Sequence, residues 1–297
     1  MNQRQPLDAS AIATMVLLTS IWGFTQVAIK LAADDVSVVM QSGLRSTISL
    51  VLLFGWARWR GTPLFERDGT LWPGLIAGAL YAGEFFFVYA GLAYTSASRM
   101  VVFVYLTPVI TAVGVHLFVK GEQLVGYQWG GVLLGFTGIA VAFGDGFFSS
   151  PASLLGDAFG VIAAFFWAAT TVVIRTTALS HASASKTLLY QIGVAALILP
   201  LMSLLIGEPG VVAITTTAVA SIAFQGIIVS FASHLTWFWL LTRFLAGRLA
   251  AFSSLAPLFG VLGGVIVLGE PLRAQFAFAA ALVVTGIYLV NRESPSR

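Results

Sequence analysis

Ten apolar stretches follow one another along the chain, each close to the roughly 20 residues that a helix needs to cross a hydrocarbon core, and this succession limits what the chain can fold into. They run over residues 11–33, 37–57, 72–93, 98–119, 126–144, 154–176, 186–206, 215–241, 249–268 and 273–290, joined by short polar or turn-forming links. With 58% hydrophobic and only 9% charged residues, 297 residues have too little polar surface to cover a water-soluble globule. The stretches are too long and too unalternating for barrel strands, and backbone in lipid must satisfy its own hydrogen bonds, so helices are expected. The first stretch follows Arg4 as a secretory signal would, but its length and its repeat partner predict that it is retained.

That partner belongs to an internal duplication. Ile21-Trp22-Gly23-Phe24-Thr25 followed by Lys30 returns 145 positions later as Phe166-Trp167-Ala168-Ala169-Thr170 followed by Arg175. Arg99, Pro108 and Gly121-Glu122 return as Arg248, Pro257 and Gly269-Glu270, with a one-residue indel between the last pairs. Five stretches in each half place the second copy upside down relative to the first, the plan of many secondary transporters. The expectation is an all-α integral membrane protein: ten transmembrane helices forming two inverted five-helix repeats, residues 11–144 and 154–290, around a central cavity. Residues 1–10 and 291–297 are read as tails and 145–153 as the linker.

Charge gives the orientation. Arg4, Arg58, Arg60, Arg67, Lys120, Arg175, Lys186, Arg243, Arg248, Arg292 and Arg297 fall on one side of the ten-span arrangement, against Lys30, Arg99 and Arg273 on the other. Basic loops stay inside, so both termini are expected to be cytoplasmic. The formal charge of +3 is spread over span ends with no aromatic-lined basic stripe, which argues against nucleic acid. Cysteine is absent, and His116, His181 and His234 have no ligand spacing, so no metal site is expected. No Gly-Lys dipeptide occurs, which excludes a P-loop.

Polar groups at bilayer depth are costly and are kept for a reason. Arg45 and Glu84 are the two charges deep inside stretches, and Gln41 lies one turn before Arg45 on the same helix face. Tyr81, Glu84, Phe85 and Val88 form one stripe of the third stretch; their counterparts 149 positions on are Ser230, Ser233, His234 and Trp237. Two such stripes facing each other would enclose a site, with Trp167 a further wall. Arg45 and Glu84 could equally neutralise one another, and His234 could be a hydrogen-bonded packing residue. Trp22 has framework packing as its simpler reading, and Glu122 and Glu270 read as helix caps or loop anchors. Pro108 and Pro257, matched in inverted copies, point to hinges or broken helices. Gly126, Gly130, Gly131 and Gly135 allow close helix approach, either internal or between copies.

Trp22-Gly23 leading to Lys30, Arg45, Pro108 followed by Gly121-Glu122, Gly135 and Gly138, and Pro257 with Gly269-Glu270 resemble the EamA family of the drug/metabolite transporter superfamily over about residues 11–290. Within it, the chain is most similar to YddG-type exporters of aromatic amino acids. The resemblance implies a ten-helix inner-membrane carrier for small metabolites, without a bound cofactor. One departure is Tyr190, which stands roughly where the repeat would place a second Arg45.

The expected function is therefore export of aromatic or other amphipathic amino acids by alternating access, the small-molecule cargo held by Gln41, Arg45, Tyr81, Glu84, Phe85, Trp167, His234 and Trp237. The alternatives are a different metabolite or a cationic drug on the same fold, a channel, or an intramembrane enzyme; the last lacks paired carboxylates or a nucleophile with its base. The lipid bilayer is the surrounding partner, and monomer and dimer both remain open.

Overall fold

A computed structural model describes residues 8–66, 68–118, 124–149, 151–243, 252 and 255–292. The helices are α1 (Ala9–Leu31), α2 (Val38–Arg60), α3 (Leu71–Leu92), α4 (Ala97–Val104), α5 (Thr107–Phe118), α6 (Gly126–Ser149), α7 (Pro151–Thr176), α8 (Ala184–Leu205), α9 (Thr216–Ala223), α10 (His234–Arg243), α11 (Ala256–Leu268) and α12 (Ala274–Asn291). A π-helical stretch, Phe224–Ser233, joins α9 to α10. Among the described residues there is no strand, only an isolated bridge between Val36 and Val211.

Seven helical segments are long and apolar enough to cross a membrane: α1, α2, α3, the α4–α5 rod, α7, α8 and the rod running from α9 to Trp237. The fifth, ninth and tenth predicted stretches hold α6, α11 and α12, of which the last two are shorter apolar helices. The linker expected at 145–153 is mostly absent, because α6 continues to Ser149 and α7 starts at Pro151.

Local chemistry sets the ends. Asp8 accepts the Ala11 amide at 2.7 Å, and Ser96, Ser183 and Thr215 cap α4, α8 and α9 in the same way. Gly61 and Gly269 terminate α2 and α11 in the left-handed region, at φ 63° and 65°. Pro108 does not bend a continuous helix. It lies in the first turn of α5, where a missing amide costs nothing, and the rod breaks just before it at Tyr105 and Leu106. Pro257 likewise opens α11.

Contacts between the two halves hold the bundle. Gly91 meets Gly156 and Gly83 meets Phe166, so α3 and α7 run antiparallel; Gly131 meets Gly286 and Gly138 meets Ala279, so α6 and α12 do too. The small-residue face of α6 is thus largely consumed internally, although a Cβ at Gly126 or Gly130 would meet nothing within 4 Å among the described residues. Helices α2 and α8 are clamped at both ends. Glu208, beyond α8, accepts the Val39 and Met40 amides at the start of α2, at 3.1 and 3.2 Å. Lys186, at the start of α8, donates to Asp68 and to the Glu66 carbonyl beyond α2, at 2.8 and 2.7 Å. Glu270 holds the start of α4, accepting from the Ala97 and Ser98 amides at 2.7 and 2.9 Å. That is the cap role expected of it; its partner Glu122 lies outside the described residues, as does Arg248.

The loops gather at two ends. One holds 32–37 against 206–215, where Ser37 donates its amide to Gly210 at 2.8 Å, and 93–96 against the first turns of α7. The other holds 61–66 and 68–70 against the start of α8 and the start of α6 against Arg292. Arg58, Arg60, Arg175, Lys186 and Arg292 belong to this second, basic end, and Lys30, Arg99 and Arg273 to the first. Helix α1 finishes at the end where α7 begins, so the two repeat-matched helices run in opposite directions.

Candidate functional site

Arg45 is in the third turn of α2 and is 1% exposed. Its guanidinium lies over the Phe85 ring, 4.0 Å from the centroid, and donates to the Tyr81 and Tyr89 hydroxyls at 3.2 and 3.3 Å. Tyr81, Phe85 and Tyr89 are successive turns of one α3 face, with centroids 4.6 and 6.2 Å apart, so a single helix supplies the whole aromatic cradle. The Arg45 Nε–H has no partner. Glu84, beside Phe85 in the chain, is 4% exposed, and among the described residues its carboxylate accepts no hydrogen bond and forms no ion pair. Mutual neutralisation by direct contact, one of the two expectations for Arg45 and Glu84, is therefore not what is found: an aromatic face and two hydroxyls hold the cation, while the carboxylate stays unpartnered.

Gln41 also departs from expectation. Rather than offering its amide to a cavity beside Arg45, it donates to the Ile29 and Val36 carbonyls at 3.1 and 2.9 Å and accepts from Gln225 at 2.9 Å. Gln225, fully buried in the π-helical stretch, receives the Tyr89 hydroxyl at 2.6 Å and donates to Ser221 at 3.0 Å. One polar chain thus runs from Arg45 through Tyr89 and Gln225 to Gln41, with links from both halves. Sequence reading missed Tyr89 and Gln225. The helical stripe of Tyr81 and Phe85 reaches Tyr89 one turn on, whereas nothing in the sequence singles out Gln225.

The remaining predicted residues take other company. Trp167 meets the Tyr105 ring edge-on at 5.9 Å, at the break between α4 and α5. His234 Nδ1 is 2.9 Å from the Val229 carbonyl; since a carbonyl only accepts, that nitrogen carries a proton and donates. Trp237 packs edge-on against Trp22, 5.7 Å between centroids, in a cluster with Met15, Leu18 and Leu240. Trp22 in turn donates to Ser233 at 2.9 Å, the framework role expected of it. In the second stripe, the Ser230 hydroxyl is fully buried. Arg45, Tyr81, Glu84 and Phe85 are brought together, Gln41 joins through the polar chain, and Trp237 belongs to the α1–α10 cluster. Two open crevices of about 290 and 330 Å³ flank α9, and no predicted site residue lines them. Among the described residues no group of side chains could hold a metal ion.

The model of the EamA-like transporter family matches the chain twice, over residues 9–144 and 154–292. The chain belongs to that family. Relatives span nearly its whole length. An Escherichia coli (strain K12) protein named "Probable amino-acid metabolite efflux pump" is 24% identical, covering 92% of each chain. "Uncharacterized transporter YoaV" of Bacillus subtilis (strain 168) is 24% identical over 93% of this chain and 94% of its own. A solved crystal structure shares the fold, with a TM-score of 0.68 at 22% identity, over 95% of this chain and 97% of that one. Family and relatives make this a multi-pass membrane transporter for small molecules.

Proposed function

We propose that this EamA-family transporter is a secondary exporter of zwitterionic amphipathic amino acids, aromatic ones above all, built as ten spans in two inverted repeats with the basic end cytoplasmic. The observation that carries this reading is a pair of opposite charges on neighbouring helices, each incompletely satisfied. Arg45 has a free Nε–H and two long hydroxyl contacts, and among the described residues the buried Glu84 carboxyl has no hydrogen bond or close ion pair. Leaving either so in lipid is costly. A guanidinium fork suits a carboxylate, a buried carboxylate suits an ammonium, and an α-amino acid carries both. Tyr81, Phe85 and Tyr105 with Trp167 add ring faces for a planar side chain. The family match and the relatives named as amino-acid metabolite efflux pumps support the same cargo class.

Counterflow of labelled phenylalanine and tryptophan in proteoliposomes tests this. Transport above protein-free vesicles, lost in Arg45→Ala and reduced in Trp167→Ala while folded protein is retained, is the expected result; no counterflow for any of a panel of amino acids refutes it. The unpartnered Glu84 also favours a second reading, a cationic cargo. Transport of a monocation that needs Glu84 and is indifferent to Arg45→Ala would establish that one instead.

A further inference from the structure

Each polar group between Arg45 and the α1–α2 turn has its donor and acceptor roles forced by its neighbours. Gln41 spends both amide hydrogens on the Ile29 and Val36 carbonyls, so its oxygen must face Gln225. Ser221 gives its hydrogen to the Ala28 carbonyl, so towards Gln225 it can only accept. Gln225 therefore commits both amide hydrogens, one to Gln41 and one to Ser221, and turns its oxygen to Tyr89. Tyr89 must then donate to that oxygen, at 2.6 Å, and present only lone pairs to Arg45. With both amides turned over, a Gln225 N–H would join Arg45 NH1 in facing the Tyr89 hydroxyl, and the Gln41 oxygen would meet the Ile29 and Val36 carbonyls.

We propose that Gln225 is a positioning residue for substrate, acting through Tyr89 on Arg45, with Gln41 and Ser221 setting its amide. The chain makes Tyr89 an obligate acceptor for the guanidinium. This holds NH1 on the α3 face and leaves the Nε edge for the incoming carboxylate. Gln225 belongs to the second repeat and Arg45 to the first, so the relay also ties the site to the junction of the halves. There the Val36 carbonyl it rests on sits in the loop bridged to Val211. This inference rests on the proposed role of Arg45 in binding a carboxylate.

A double-mutant cycle on labelled phenylalanine counterflow, with full-length protein in proteoliposomes, separates the relay from plain packing. Gln225→Met and Tyr89→Phe should each raise KM about five- to tenfold, the worth of one hydrogen bond to a charged or polar partner, with Vmax within about twofold. In the Tyr89→Phe background, Gln225→Met should add less than about a further twofold, because the link through which it acts is already gone. Multiplying effects, or a fall in Vmax alone, overturns the proposal. If Gln225→Met does not fold, Gln41→Met replaces it in the same cycle, with the same two outcomes. Wild-type protein inactive on every amino acid, or an Arg45→Lys variant with unchanged KM, refutes the carboxylate site itself. An active wild type that needs Arg45 but gives a multiplicative cycle refutes the relay alone.

Discussion

Gly130 and Gly131 are neighbours on α6, and adding one methyl group to each should shift stability in opposite directions. A Cβ on Gly131 would lie 2.8 Å from the Gly286 carbonyl oxygen and 2.9 Å from both the Val290 nitrogen and the Leu289 Cβ, two of the three being backbone atoms. Ordinary contact begins near 3.4 Å, so α12 would have to retreat by about 0.6 Å along a face that also carries the Gly138–Ala279 approach. Overpacking of this kind costs about 1–3 kcal/mol. A Cβ on Gly130 meets nothing within 4 Å, so Gly130→Ala keeps only the backbone benefit of replacing glycine in a helix, about 0.5–1 kcal/mol. Both variants gain that benefit, so it cancels and they should differ by the overpacking cost alone, about 1–3 kcal/mol, a factor of about five to 150 in the folding equilibrium. Unfolding of the purified chain in mixed micelles, titrated with a denaturing detergent, measures the difference. Equal shifts in the two variants would refute the close approach of α6 and α12. A destabilising Gly130→Ala would mean that its open face is covered by a second copy, which cross-linking would then detect.

Two further outcomes follow from the ends of the bundle. Asp157, fully buried on α7, accepts from Thr95 and from Arg99 Nε at 2.8 and 3.1 Å, so Asp157→Asn removes the carboxylate from a buried ion pair. It should cost about 3–5 kcal/mol in the same titration, whereas the paired change Arg99→Met with Asp157→Leu should recover most of it. At the basic end, the hydrogen bond from Lys186, helped by Thr70, holds the Asp68 carboxyl down to about 2, below its ordinary 3.8. A depressed carboxylate contributes above its unfolded value and loses that contribution only as pH falls through the folded one. Amide protection factors of residues 61–66 and 68–70, corrected for the intrinsic pH dependence of exchange, should accordingly hold from pH 7 to pH 4 and fall only towards pH 2, while Asp68→Asn should lower them across pH 4–7.

Much of this was legible in the chain because lipid simplifies the rules. A lone arginine in an apolar run had to be buried and occupied, which singled out Arg45, and the helical period then reached Tyr81 and Phe85. Pro108 announced the break before α5. Its position was less legible: proline is easiest to place in a first turn, so the helix ends ahead of it instead of kinking through it. Gln225 escaped notice because an amide carries no charge to make it conspicuous. The repeat also points elsewhere, since its counterpart at the 149 offset is Ile76, which is 52% exposed. The π-helical stretch has no counterpart in α3, and its wide turn is not signalled by any residue pattern in Phe224–Ser233.

Two like halves would give a site with two like walls, and a zwitterion needs unlike ones. The departure that meets this need is Tyr190. In the first half, Arg45 points into α3 and is held by tyrosines. In the second, the ring of Tyr190 packs on Gly74 and its backbone carbonyl on Gly78, and its hydroxyl shares a hydrogen bond with Thr70 at 3.1 Å near the basic end. The tyrosine thus serves to join α8 to α3, without adding a second buried cation. On the proposed reading this loss of symmetry is what gives the cargo a direction. One guanidinium from α2 and one carboxylate from α3 fix which way round an amino acid lies, and a second arginine at position 190 would compete for its carboxylate. Tyr190→Arg should therefore weaken phenylalanine counterflow more than Tyr190→Phe does. If the two variants transport alike, the single charge at Arg45 is not what orients the substrate.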